Sequence, residues 1–249
     1  MSPSVPNIER EYGVSGPGGS GMVAVIEDDR TTRDLLVDLL EDIGFSVRSY
    51  GGAIDYLSAD FDREPSCILL NVRLPGMSGL ELQDKLREAR STSMVVFMTA
   101  FADVSMCLRA MKAGAFDFLQ KPFREQEVLD TVCRADRAHH QRLQVAQTVA
   151  ITDGRLNSLT AREREVLAGV IDGLLNKQIA GVLGISEIMV KVHRGNLMRK
   201  MQARTLTDLI KQLSVHPLWQ LQPGTTRQGL VARLQNSTLH PVHVHALLA

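Results

Sequence analysis

Five short apolar runs, MVAVIE at 22–27, FSVRSY at 45–50, SCILLN at 66–71, SMVVFMT at 93–99 and AFDFL at 115–119, alternate with segments of helical periodicity. Strands that alternate with helices need βαβ crossovers, which make the strands parallel and lay helices on both faces of the sheet. Residues 22–129 are therefore expected to form an α/β unit with a doubly wound five-stranded parallel sheet. Cys67–Leu70 carries no polar side chain, as a strand covered on both faces requires. It runs into a loop rich in Pro and Gly (Pro75, Gly76, Gly79), so Asn71 stands at the strand's C-terminal lip. That lip is where open α/β sheets hold their ligands.

A chain of 249 residues, 44% apolar and 22% charged, has room for a second domain. Residues 1–21 end in GVSGPGGSG and are expected to be a flexible arm. After the fifth strand, a stretch free of Gly and Pro stays helix-compatible to about residue 147. Thr152-Asp-Gly-Arg155 is expected to break it, which makes residues 130–154 a helical linker and hinge. His139 and His140 are expected on its solvated surface.

Residues 155–214 read as wholly helical. Thr160 and Glu163 have capping-box spacing, Gly173 stops that helix, and Asn176 is expected to cap a short one. Gly184-Ile185-Ser186 then turns the chain into EIMVKVHRGNLMRKM, and a last helix covers 205–213. Ile179, Val182 and Leu183 are expected to pack against Val190, Leu197 and Met201. Residues 215–249 form an unassigned tail, in which the spacing of His240, His243 and His245 is too weak a signal for a metal site.

No segment reaches the roughly 18 apolar residues of a membrane span, and no secretory leader is recognisable, so a cytoplasmic protein is expected. Cys67, Cys107 and Cys133 are read as buried thiols rather than disulfides. Zero net charge conceals an asymmetry. Residues 22–125 hold 12 basic and 17 acidic residues, whereas residues 155–214 hold 10 basic and 5 acidic, so the second half can attract polyanions.

The strand ends carry the chemistry. Glu27, Asp28 and Asp29 close the first strand, Asn71 the third and Thr99 the fourth, and the fifth leads to Lys121-Pro122. Carboxylates supply hard oxygen donors for Mg²⁺, while a hydroxyl and an ammonium suit the oxygens of a phosphoryl group.

VIEDD, LLNVRLPGMSGLEL, VVFMTAFAD and MKAGAFDFLQKPF resemble, in order and spacing, the receiver domain of two-component response regulators, a flavodoxin-like fold. The resemblance implies that Glu27, Asp28, Thr99 and Lys121 line the phosphorylation pocket, with Phe118 as the switch aromatic and a cis bond before Pro122. It also implies Mg²⁺ ligands at Asp28, at the Arg73 carbonyl and at position 71. Asn71 stands where the resemblance places the phospho-accepting aspartate. An amide oxygen is a far poorer nucleophile than a carboxylate, so normal aspartyl phosphorylation is expected to fail. Losing an anionic ligand is expected to weaken Mg²⁺ binding, and no cofactor is required. No catalytic residue is assigned. A docking face is expected around Phe101, Val104, Met106, Met111 and Phe118.

LTAREREVLAGVIDGLLNKQIAGVLGISEIMVKVHRGNLMRKM resembles the helix-turn-helix of LuxR/FixJ/NarL-type regulators. The resemblance places Lys191 and Val192 against base edges and the last helix at a dimer contact, which predicts a pseudo-palindromic site on double-stranded DNA. Lys177, Arg194, Arg199 and Lys200 are expected to contact phosphates. Ile188-Met189 and Gly195 depart from the family's usual pattern of a polar pair and a longer side chain.

The function expected is a homodimeric, DNA-binding transcription regulator with an atypical receiver, controlled by dimerisation or partner binding. RNA polymerase is a further partner on this reading, and Asn71 argues against a cognate sensor kinase. Two alternatives stay open: an ordinary phosphorylation-dependent regulator carrying an Asp-to-Asn replacement, and a protein-interaction adaptor without specific DNA binding.

Overall fold

The computed structural model describes residues 21–100 and 104–216, which fall into two compact units divided after Leu143. Most of the expected N-terminal arm, Phe101, and the C-terminal tail from residue 217 on, with His240, His243 and His245, lie outside the described residues, as does the side chain of Val104.

In the first unit, β1 (Met22–Ile26), β2 (Ser46–Tyr50), β3 (Cys67–Asn71), β4 (Met94–Thr99) and β5 (Asp117–Gln120) alternate with α1 (Arg30–Asp42), α2 (Ala53–Ser58), α3 (Gly79–Glu88) and α4 (Val104–Lys112). All strand pairings are parallel, and the order is β2-β1-β3-β4-β5. This is the flavodoxin-like winding, whose direction reverses between β1 and β3. Period-2 alternation divides the sheet side chains between two cores. Val23, Val25, Leu69, Val96 and Met98 meet Leu36 and Leu40 of α1 on one face. Ala24, Ile26, Ile68, Leu70 and Phe97 meet Tyr56, Leu82 and Ala110 on the other. Strands β3 and β4 are buried along their whole length, and β2, at the sheet edge, is partly exposed.

The helix α5 (Glu125–Asn157) corrects the expected linker, because it runs unbroken through Asp153 and Gly154. Val128, Val132 and Ala135 belong to the first core, while Val149 and Leu156 are buried near the other end. Tertiary contacts hold the Thr152–Arg155 stretch helical against the local cost of Gly154: Asp153 Oδ1 lies 2.7 Å from His216 Nε2, and Arg155 donates to Gln202 and Gln212. His139 is buried, not solvated, with Nε2 3.2 Å from Thr92 Oγ1. Burial, aided by neighbouring His140, lowers its pKa from the ordinary imidazole value.

The second unit adds α6 (Ala161–Ile171), α7 (Asn176–Leu183), α8 (Glu187–Lys200) and α9 (Leu206–Ser214). Reciprocal Thr160–Glu163 bonds cap α6, and Ser186 Oγ accepts from the Met189 amide to cap α8. Gly184, at φ +63, forms the left-handed end of α7 that lets the chain turn into α8. Leu156, Val166, Leu167, Val170, Ile179, Val190, Leu197 and Met201 form the core. Two expectations fail here. Val182 is 75% exposed and takes no part in the core. Leu175, not Asn176, is the residue before α7, and it offers no side-chain oxygen to the first turn.

Candidate functional site

The C-terminal ends of β1 and β3 meet at the reversal point of the sheet, and four predicted residues converge there. Glu27 is 1% exposed. Its Oε2 takes a hydrogen bond of 2.5 Å from Lys121 Nζ, and its Oε1 accepts from Asn71 Nδ2 at 3.0 Å. Asn71 Nδ2 also donates to Asp28 Oδ1 at 2.8 Å. The two amide hydrogens of Asn71 are thus shared between two carboxylates, and the ammonium of Lys121 closes the set. Burial pushes the Glu27 carboxyl above its ordinary value, even though the Lys121 hydrogen bond and charge act to lower it.

Local structure fixes each member. Asp29 caps α1 through a 2.8 Å bond from the Thr32 amide, which sets the path of the acidic turn. Arg33, one helical turn on, donates to the Glu27 carbonyl at 2.6 Å and holds that turn from below. Arg33 was not anticipated from sequence, although its place six residues after Glu27 on a capped helix is a readable signal. Gly79 opens α3 so close to β3 that a Cβ there would lie 2.4 Å from the Asn71 carbonyl oxygen. Thr99 is buried at the end of β4, and Lys121 follows β5 with a cis bond to Pro122. Arg73 is exposed in the loop after β3.

Mg²⁺ takes oxygen ligands, carboxylates above all. In this pocket both carboxylates face an amide nitrogen, and Glu27 is committed to Lys121 as well. Among the described residues no three His, Cys, Asp or Glu side chains converge. The donor set as arranged does not fit the ion.

Phe118 is half-buried, with its ring 6.2 Å from that of Phe97. It and Met106 pack partly against the core, so only part of each side chain faces outward. Met111 is exposed, and so is Leu108, which sequence reading missed because a helical stripe does not reveal which side faces the sheet.

On the second unit, Lys177, Lys191, Val192 and Arg199 are exposed. Lys191 Nζ lies 3.4 Å from Glu187 on the same helix. Arg194 is partly buried and donates to Asn176 Oδ1 at 3.2 Å, tying α8 to the start of α7. Lys200 departs most from expectation. Its Nζ donates to Glu163 Oε2 at 2.7 Å and to the Ser158 carbonyl at 3.0 Å, so it anchors the α6 capping box instead of pointing outward. Burial works to raise the Glu163 carboxyl, but the Lys200 and Thr160 hydrogen bonds prevail and hold it below its ordinary value. Ile188 and Met189 are exposed at the start of α8, and a Cβ on Gly195 would meet nothing within 4 Å.

Among the described residues no helix is long and apolar enough to cross a membrane. Residues 23–133 match the response regulator receiver domain, and residues 157–213 match the bacterial regulatory proteins of the luxR family. The chain is 43% identical to Nodulation protein W of Bradyrhizobium diazoefficiens over 190 residues, 76% of this chain and 84% of that protein. It is 37% identical over 194 residues to the Transcriptional regulatory protein FixJ of the same organism, covering 77% of this chain and 93% of the relative. Among solved structures, that of the response regulator StyR superposes with a TM-score of 0.69 at 41% identity, over 79% of this chain and 99% of the other. The chain therefore belongs to the LuxR/FixJ family of DNA-binding transcriptional response regulators, in which a receiver domain precedes a LuxR-type helix-turn-helix.

Proposed function

We propose that this regulator works in the cytoplasm without aspartyl phosphorylation, because Asn71 occupies the position at which a receiver accepts the phosphoryl group. The observation that carries this is the Asn71 amide, whose nitrogen is bonded to both Glu27 and Asp28. An acyl phosphate forms when a carboxylate oxygen attacks phosphorus, and the amide has neither the charge nor the free orientation to do so. Mg²⁺ affinity is low for the same reason, no cofactor is needed, and a sensor kinase has no acceptor to serve.

Control then rests on assembly. A two-state receiver needs no phosphate to exist in two states, only a ligand or partner that prefers one of them. Leu108 and Met111 on α4, and Leu206 and Ile210 on α9, are exposed apolar pairs that suit contact with a second copy. Dimerisation through α9 pairs two α8 helices across a pseudo-palindromic duplex. There the exposed cations Lys177, Lys191 and Arg199 meet phosphates or base edges, and RNA polymerase is the downstream partner.

The test is intact-mass analysis after incubation with acetyl phosphate and Mg²⁺. The wild-type mass stays unchanged, while Asn71→Asp gains one phosphoryl group. An acyl phosphate on the wild-type chain would overturn the proposal.

A further inference from the structure

We infer that Ile188, Met189 and Val192 form an apolar reading head for the 5-methyl groups of thymine in the major groove. The inference rests on the DNA-binding reading and goes beyond it, from binding a duplex to the kind of base edge that is read.

The side chains of Ile188, Met189 and Val192 are 72%, 44% and 49% exposed, at the start of a helix whose other face is buried through Val190 and Leu197. Positions 188 and 192 are four apart and 189 and 192 three apart, so the three side chains share one face. Gly195 continues that face a turn further with open space where a side chain would stand, and Arg199 follows it, exposed. Ser186 caps the helix and fixes its first turn, so the three residues project from a rigid element.

Charge identifies the occupant. Lys177, Lys191 and Arg199 are exposed within residues 155–214, which hold ten basic and five acidic residues, so the apolar patch lies in a field that draws a polyanion. A membrane or a protein core would leave those cations facing apolar matter. The major groove offers negative phosphates at its rims and, on its floor, one apolar group, the methyl of thymine.

Ile, Met and Val have no hydrogen-bond donor or acceptor for a base edge. Seated over guanine or cytosine, they would strip water from O6, N7 or N4 and return nothing. Seated over thymine, they bury the methyl. This chain's preference therefore shifts toward A·T pairs at the bases beneath these side chains. Lys191, on the adjoining face, is exposed beside Glu187 and within reach of guanine on exchanging that partner.

The experiment selects duplexes from a random library with the full-length protein, then replaces each thymine of the recovered half-site by deoxyuridine, which removes only the methyl. At least one replacement should weaken binding about threefold to fivefold, the effect of one buried methyl. In Ile188→Ser and Met189→Thr the loss on deoxyuridine replacement should fall toward onefold. The salt dependence of binding should be unchanged in both, because no phosphate contact is touched. Both substitutions are on exposed sites, and circular dichroism of the variants verifies the fold. Sequence-specific, salt-dependent binding that ignores every methyl would overturn the reading head and leave DNA binding intact. Failure to bind any duplex with a salt slope would instead overturn the DNA-binding reading, and the inference with it.

Discussion

Replacing Asn71 by aspartate converts an amide that donates to two carboxylates into a third carboxylate beside them. Two hydrogen bonds to charged acceptors, of 3.0 and 2.8 Å, are lost. Each contributes about 1.5 to 3 kcal/mol, which puts the loss at about 3 to 6 kcal/mol. Repulsion between carboxylates about 3 Å apart, at an effective dielectric of about 20, is on the order of 5 kcal/mol and sets a similar ceiling. Asp28 is exposed and can turn into water, and Lys121 still neutralises Glu27, so part of the cost is recovered.

We expect a net destabilisation of about 2 to 4 kcal/mol at pH 7 without divalent ions, which lowers the receiver melting point by about 10 °C or more. A carboxyl whose folded pKa lies above its unfolded value stabilises the fold fully below the unfolded value, and that stability is lost as pH rises through the folded value. Burial already raises Glu27, and a third acid raises the cluster further, so the gap between wild type and variant narrows from pH 7 toward pH 5. Mg²⁺ closes the gap from the variant's side and moves the wild type little. Differential scanning calorimetry of both proteins, with and without Mg²⁺, measures all three effects. If the variant melts with the wild type at pH 7 in the absence of metal, the account of Asn71 as the group that reconciles two acids is wrong.

Lys200→Met should destabilise the helix-turn-helix unit by about 1 to 2 kcal/mol, since Glu163 stays buried without its cation, while leaving the salt slope of DNA binding unchanged. Arg199→Ala should do the reverse and lower the slope by about one; urea titration and binding at several salt concentrations separate the two. Because the Glu163 pKa is depressed, its contribution is present above the unfolded value of about 4.5 and fades as pH falls through the folded value, and Lys200→Met should remove most of that acid sensitivity. Gly79→Ala should cost about 1 to 3 kcal/mol by pushing a Cβ against the Asn71 carbonyl, read as a lower receiver melting point; an unchanged midpoint would show that α3 moves freely from β3.

The sheet and the pocket were legible because their signals are local. Strand runs of period two, turn residues at the strand ends and the rule that ligands gather at the C-terminal lip together place Glu27, Asp28, Asn71, Thr99 and Lys121 at one edge. Caps at Ser186 and Thr160 were equally readable, since the bonds involved span three residues. The long-range pairings were not. Nothing near Lys200 indicates that its partner is Glu163, 37 residues earlier, or that His216 meets Asp153 across 63 residues and helps keep the 152–155 stretch helical.

The sequence by itself determined the two kinds of unit, the strand order's chemistry at the lip and the amide among the acids. Only the tertiary structure decided which way that amide points, which cations are spent on internal anchors, and which apolar residues of α7 and α8 remain in water. The physical reason is range: periodicity and capping act over a turn of helix or a step of strand, whereas burial and ion pairing depend on which distant element closes over a side chain.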